Sequence, residues 1–206
     1  GTPEQKRRYL QPLLDGDIVS CFSMTEPQAG SDPKEFRCRA ERDGDHWVLN
    51  GEKYFSSHAD LAEFLIVMVI TNPDVPVHQG ASMFLVPRDT PGLQFLRMAG
   101  LAGEPLGQGH HPHLRYENVR VPADNLLGGE GQAFAIAQTR LGGGRIHHAM
   151  RTVAMVKRAL AMMCERALSR RTQGESLAQK QIVQQYVADS FIGLEQFRLL
   201  VLHTAW

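Results

Sequence analysis

The order of apolar and polar positions divides the chain into three stretches. Residues 3–14 mix charge and leucine at a helical period and stop before Asp15-Gly16-Asp17, a turn signal. Across residues 18–122 the apolar runs shorten and are broken by Gly, Pro, Asn and Asp, which predicts strands at 18–25, 64–70, 82–86 and 113–121. Residues 46–49 and 52–56 flank Asn50-Gly51, a pair that accepts positive φ and so predicts a hairpin with a type I′ turn. Strands at this spacing with no helices between them predict an antiparallel barrel or sandwich. After Pro122 the period becomes helical. Val153, Val156, Leu160, Met163 or Cys164, and Ala167 share a stripe, with Gly174 expected to close that helix. A second helix from about residue 176 carries Val183, Val187, Ser190, Leu194, Phe197 and Val201. Two helices cannot enclose each other. The expected class is therefore α+β: an antiparallel β-barrel or sandwich domain followed by part of an α-helical bundle. Its divisions fall at 1–17 (end of a helical domain), 18–122 (β-domain) and 123–206 (start of the bundle), and the bundle is incomplete at Trp206.

Composition removes several classes of function. Lys plus Arg and Asp plus Glu both total 22 in 206 residues, so the net charge is zero and no electrostatic footprint for nucleic acid exists. No apolar run approaches the roughly 18 residues of a membrane span. Cys21, Cys38 and Cys164 are odd in number and scattered, which predicts neither a disulfide framework nor a structural metal. His147 and His148 would point about 100° apart on a helix and cannot grip one ion. His110, His111 and His113, beside Pro112, lack a matching Cys or carboxylate in the sequence and read as a solvated loop. Seventeen of the 22 basic residues are Arg. That bias suits a GC-rich bacterial coding sequence and a cytoplasmic protein, or the mitochondrial matrix for a eukaryotic one.

Chemistry enters with four segments. MTEPQAGSD at 24–32 follows the first strand, and its Ala29-Gly30-Ser31 would let backbone N–H groups approach phosphate oxygens. NGEKYFSSHA occupies 50–59, NVRVPADNLLGGEGQAF 118–134, and RRTQG 170–174, with Gln181 beyond. In this order the four resemble the acyl-CoA dehydrogenase family over nearly the whole chain. GGGRIHHAMR at 142–151 is similar to the branch related to vertebrate members with a fused phosphotransferase-like domain.

The resemblance implies FAD as cofactor. Phe22, Met24 and Thr25 would line the flavin edge, and Gly30 and Ser31 would approach the pyrophosphate. Phe55 would pack on the ring, with Ser56 and Ser57 bonding near its reactive nitrogen. Arg170, Thr172 and Gln181 would reach a neighbouring subunit's FAD, with the arginines placed in a last helical turn. Ser31 and Arg145 would contact substrate, and Gly142-Gly143-Gly144 would leave room for it. The family usually has Trp at Phe55, Thr at Ser57 and an aromatic at Gln173. The implied reaction is α,β-dehydrogenation of an acyl-CoA thioester in fatty-acid metabolism. The implied partners are an electron-transfer flavoprotein and further copies of the chain, as a dimer or tetramer. Glycine at 144 excludes the arrangement in which some relatives place their base there, so the base is expected beyond Trp206 and the 206 residues are expected to be inactive alone. The alternatives are an acyl-CoA oxidase or nitroalkane oxidase chemistry, or a non-catalytic binding module on the same fold.

Overall fold

The structure is a computed structural model that describes residues 1–101, 103–105 and 108–206. Their contacts divide the chain into two units, residues 1–137 and 138–206. The opening helix α1 runs through Pro3–Gln5, a π turn at Lys6–Leu10, and Gln11–Asp15, and lies in the first unit. Thr2 caps it in a reciprocal box with Gln5, and Gly16 ends it at φ 80°.

Seven strands make one sheet: β1 (Ser20–Ser23), β2 (Arg39–Asp43), β3 (His46–Lys53), β4 (Phe64–Ile70), β5 (Ala81–Pro87), β6 (Leu93–Met98) and β7 (Pro112–Pro122). β4 is apolar at every position, and both its faces are used. Leu65, Val67 and Val69 join Trp47, Leu49, Phe84 and Tyr116 in one core; Ile66, Met68 and Ile70 join Phe36, Met83, Ala133 and Ala137 in another. β5 takes one full edge of β4, antiparallel. The other edge is shared in succession: β1 pairs parallel with residues 64–67, and β2 pairs parallel at Ile70. β1 and β2 thus behave as one strand interrupted by an excursion of residues 24–38, whose return is marked by the Ile70 N–H donating to the Cys38 carbonyl at 2.8 Å.

The class is α+β as expected, but the sheet is mixed because of these two parallel pairings. β1 is also shorter than residues 18–25, since Met24 and Thr25 leave with the excursion. The hairpin expected at Asn50-Gly51 is not there. β3 continues through both residues with a register shift against β7 at Leu49/Gly51, a bulge. Gly51 has φ 139°, and a Cβ on it would lie 2.6 Å from Cys38 Cα, so this glycine serves close strand approach rather than chain reversal. The reversal comes earlier, at Gly44-Asp45, between the paired Asp43 and His46. Only Gly44 of that pair has positive φ, which fits a type II′ turn. β2 (RAERD, with only Ala40 buried) and β6 carry too little apolar alternation to be read from sequence.

In the second unit helix α2 (Ala133–Ser169, beginning in the first unit) continues unbroken through Gly142-Gly143-Gly144. A two-residue hairpin follows, β8 (Arg171–Thr172) and β9 (Glu175–Ser176), then α3 (Gln181–Ala205). Gln173 and Gly174 sit at φ 53° and 85°, the signs a type I′ turn requires, so Gly174 turns a hairpin instead of closing the helix. α2 and α3 leave between them a groove of about 510 Å³ lined by Leu160, Cys164, Ala167, Val183, Val187 and Phe191. No helix among the described residues is long and apolar enough to cross a membrane.

Candidate functional site

The excursion 24–38 is held to the end of β3 by buried polar chemistry. Glu26 and Ala29 exchange backbone hydrogen bonds of 2.8 and 3.1 Å, closing a tight turn over Pro27-Gln28. The Tyr54 N–H donates to the Thr25 carbonyl at 2.8 Å. Lys53, the next inward position of β3, donates from Nζ to the Met24 carbonyl at 2.8 Å and to Glu26 Oε1 at 2.9 Å. These side chains are 0% and 2% exposed. Such a pair is tolerable only when the remaining lone pairs are filled. Glu26 does this by accepting from the Arg37 N–H at 2.6 Å, the Cys38 N–H at 3.1 Å and Gln28 Nε2 at 2.7 Å. The Phe36 ring lies 4.8 Å from Lys53 Nζ, a cation–π contact. Burial pushes the neighbouring Cys38 thiol up to about 11, with Lys53 pulling the other way and Glu26 adding to the rise, so this thiol is inert.

The segment after β3 is held as firmly. The Ser56 hydroxyl is fully buried, 2.7 Å from Ser23 Oγ, and Ser23 in turn lies 3.4 Å from the Tyr116 hydroxyl. Burial keeps Tyr116 protonated, well above its ordinary range. Ser57 turns the other way, with Oγ 2.8 Å from His111 Nδ1. Phe55 and His58 adopt positive φ, 53° and 63°, a strained choice for side chains of that size. The Phe55 ring is 41% exposed and meets Tyr54 edge-on at 4.2 Å.

The expected residues therefore fall into three groups. Phe22 and Met24 pack half-buried against the second core, with Thr25 at the tie to Tyr54 and Gly30 and Ser31 exposed on the excursion. The hydroxyls of Thr25 and Ser31 have no hydrogen-bond partner among the described residues. Phe55 and Ser57 stand beside this group through the Thr25–Tyr54 tie, while the Ser56 hydroxyl points into the core and is committed to Ser23. Arg145, Arg170, Thr172 and Gln181 belong to the second unit. Arg145 Nη2 donates to Gln138 Oε1 at 2.9 Å. Arg170 directly follows α2 and its N–H closes the last helical turn on the Arg166 carbonyl at 3.0 Å, whereas Arg171 and Thr172 form β8 and Gln181 opens α3. Glu26, Lys53, Ser23, Tyr116 and His111 were missed from sequence. The available signal was Lys53, a lysine in the inward register of a strand. Among the described residues no cluster of His, Cys, Asp and Glu is placed to hold a metal ion.

A mixed sheet whose β1/β2 path is interrupted by a polar excursion, clamped beside a strained aromatic-serine segment, with a helical hairpin downstream, defines an α+β pair of units. The models for "Acyl-CoA dehydrogenase, middle domain" and "Acyl-CoA dehydrogenase, C-terminal domain" match residues 21–119 and 131–206. The chain belongs to the acyl-CoA dehydrogenase family. It is 48% identical over its whole length to "Probable acyl-CoA dehydrogenase FadE2" of Mycobacterium tuberculosis, covering 51% of that protein. It is 44% identical, again over its whole length, to human "Acyl-CoA dehydrogenase family member 11", covering 27% of it. Butyryl-CoA dehydrogenase from Megasphaera elsdenii superposes with a TM-score of 0.86 at 32% identity, over 98% of this chain and 52% of that one. The chain thus spans about half, or about a quarter, of the relatives it matches.

Proposed function

We propose that this chain forms the flavin-holding part of a FAD-dependent acyl-CoA dehydrogenase that passes its electrons to an electron-transfer flavoprotein. The observation that carries the reading is the clamp. Lys53 and Glu26 fasten the 24–32 turn to the end of β3, and the Tyr54 N–H donates to the Thr25 carbonyl, so the turn that carries Thr25, Gly30 and Ser31 is tied to the segment that carries Phe55 and Ser57. This donor set fits FAD. Among the described residues Thr25 and Ser31 keep unpartnered hydroxyls, Gly30 leaves backbone exposed for a phosphate, and Phe55 offers an open ring face. When bound, FAD supplies a hydride acceptor for the substrate's β-hydrogen. Thr25 and Ser57 hydrogen-bond its polar rim, Phe55 packs against it, and Gly30 with Ser31 approaches the pyrophosphate. Ser56 contributes by bracing Ser57 through Ser23 and not by touching the ring. Arg170, Thr172 and Gln181 reach the FAD of a second copy in a dimer or tetramer, guanidinium suiting phosphate, and Arg145 lies toward the thioester. No carboxylate of these 206 residues is assigned the α-proton.

Each neutral hydrogen bond contributes about 1 kcal/mol. Thr25→Val with Ser57→Ala in the full protein should therefore weaken FAD binding roughly thirtyfold, by about 2 kcal/mol. Anaerobic acyl-CoA should bleach the visible flavin band of the unaltered protein. A purified protein without flavin, or a flavin that acyl-CoA leaves oxidised, rejects the assignment.

A further inference from the structure

The three histidines expected in a solvated loop are all engaged. His110 Nδ1 lies 2.6 Å from Asp60 Oδ2, His113 Nε2 2.8 Å from Glu52 Oε2, and His111 Nδ1 2.8 Å from Ser57 Oγ. His58 stands among them, its ring 5.8 Å from that of His110 and 6.4 Å from that of His111, and its N–H donates to the His110 carbonyl at 2.7 Å. Residues 55–60 and 110–113 thus make one polar block behind Ser57. Strain at Phe55 and His58, about 1–3 kcal/mol each for left-handed non-glycine residues, persists only where surroundings over-determine the backbone. Here the Ser56 N–H to the Pro112 carbonyl, at 3.1 Å, and Ser57 to His111 supply that determination.

Ser57 has a single proton to give. While His111 is neutral with Nδ1 bare, the hydroxyl donates to it, and the oxygen lone pairs are left for another partner. The Phe55 carbonyl at 3.4 Å is too distant to compete. Once His111 is protonated, Nδ1–H donates to Ser57 Oγ, and the hydroxyl proton turns elsewhere. We infer that His111 is a positioning residue whose protonation sets whether Ser57 offers a proton or a lone pair to the flavin edge. The inference rests on the flavin reading of Ser57 above. The reactive nitrogen of an oxidised flavin accepts a hydrogen bond and, once reduced, donates one. The oxidised protein therefore favours protonated His111, and the reduced protein favours the neutral ring. Between the two imidazole pKa values, reduction releases the His111 proton, which offsets a proton taken up with the two electrons. Among the described residues, the charged and titratable groups on the segments against this ring include His58 and Asp60, His110 and His113, and Arg97 on β6, the register partner of His113, with Ala99 two residues beyond it donating to the His111 carbonyl. Glu104, its carboxylate against Gly109, is a further acidic group of this loop.

The test is reductive titration of the FAD-loaded full protein, followed by its visible band, at pH values on both sides of about 6.5, the ordinary imidazole value. In the unaltered protein the midpoint potential should flatten against pH across a window, over and above the bend that reduced flavin's own ionisation gives any variant. The window should vanish in His111→Asn, which puts a non-titrating polar group near the place of Nδ1. It should vanish equally in Ser57→Ala, which keeps the ring and deletes the relay; this variant carries the comparison if His111→Asn loses flavin. No window in the unaltered protein, or a window persisting in either variant, overturns the inference. A purified protein without flavin overturns the reading beneath it, so the two failures are distinguishable.

Discussion

Lys53 and Glu26 show how much a single contact decides at the scale of the residue. Neither side chain reaches water, and together they fix three backbone groups: the Met24 carbonyl and the N–H groups of Arg37 and Cys38. Removing one member of such a pair strands the other charge in the interior, at a cost of about 3–5 kcal/mol. Lys53→Met should lower the stability of the protein by that amount in urea denaturation and loosen its flavin as well; a loss under about 1 kcal/mol would mean that the pair does not clamp the excursion. Gly51 makes the same point through space. Alanine there meets Cys38 backbone at 2.6 Å and an unfavourable φ together. Gly51→Ala should therefore cost at least the roughly 1–3 kcal/mol of backbone strain alone, which thermal unfolding would register.

Elements place these residues by their ends and interruptions. α2 carries three successive glycines, and a Cβ on any of them would meet nothing within 4 Å. Packing does not require them, and each weakens the helix by about 0.5–1 kcal/mol relative to alanine. Replacing all three with alanine should raise the urea midpoint of the protein. If the gap they leave admits substrate, KM for acyl-CoA should rise while flavin affinity stays fixed. The β8–β9 hairpin behaves oppositely. Gly174→Ala, at φ 85°, should cost about 1–2 kcal/mol, visible as faster amide exchange around residues 170–177 with helix content unchanged.

Across the whole first unit, strand pairing is tied to pH through Glu52 on β3. The guanidinium of Arg115, its register partner on β7, donates to that carboxylate and holds it below the ordinary range; partial burial opposes this, and His113 adds to the lowering. A carboxylate whose folded pKa is depressed contributes stability above its unfolded value of about 4.3 and loses it as pH falls through the folded value. The urea midpoint should accordingly drop more steeply in the unaltered protein than in Glu52→Gln as pH is taken from 6 to 3. Identical slopes would remove Glu52 from the acid response.

The apolar run of β4, the MTEPQAGSD turn, the FSS segment and the two helical stripes are local patterns, and residue order alone determined them, along with the family and the α+β class. Tertiary structure decided what local order cannot encode. Asn50-Gly51 has the chemistry of a tight turn, yet the close approach of Cys38, thirteen residues before Gly51, needs the space of the Cβ that glycine lacks. Ser56 and Ser57 are adjacent and chemically identical, but the irregular segment after β3 sends one hydroxyl to Ser23 and the other to His111. Glu26 and Lys53 have no local pattern that pairs them; the excursion between β1 and β2 brings Glu26 to Lys53 at the end of β3. Sequence carries propensity, which acts over a few residues; burial and partnership depend on chain segments that only the closed sheet brings together.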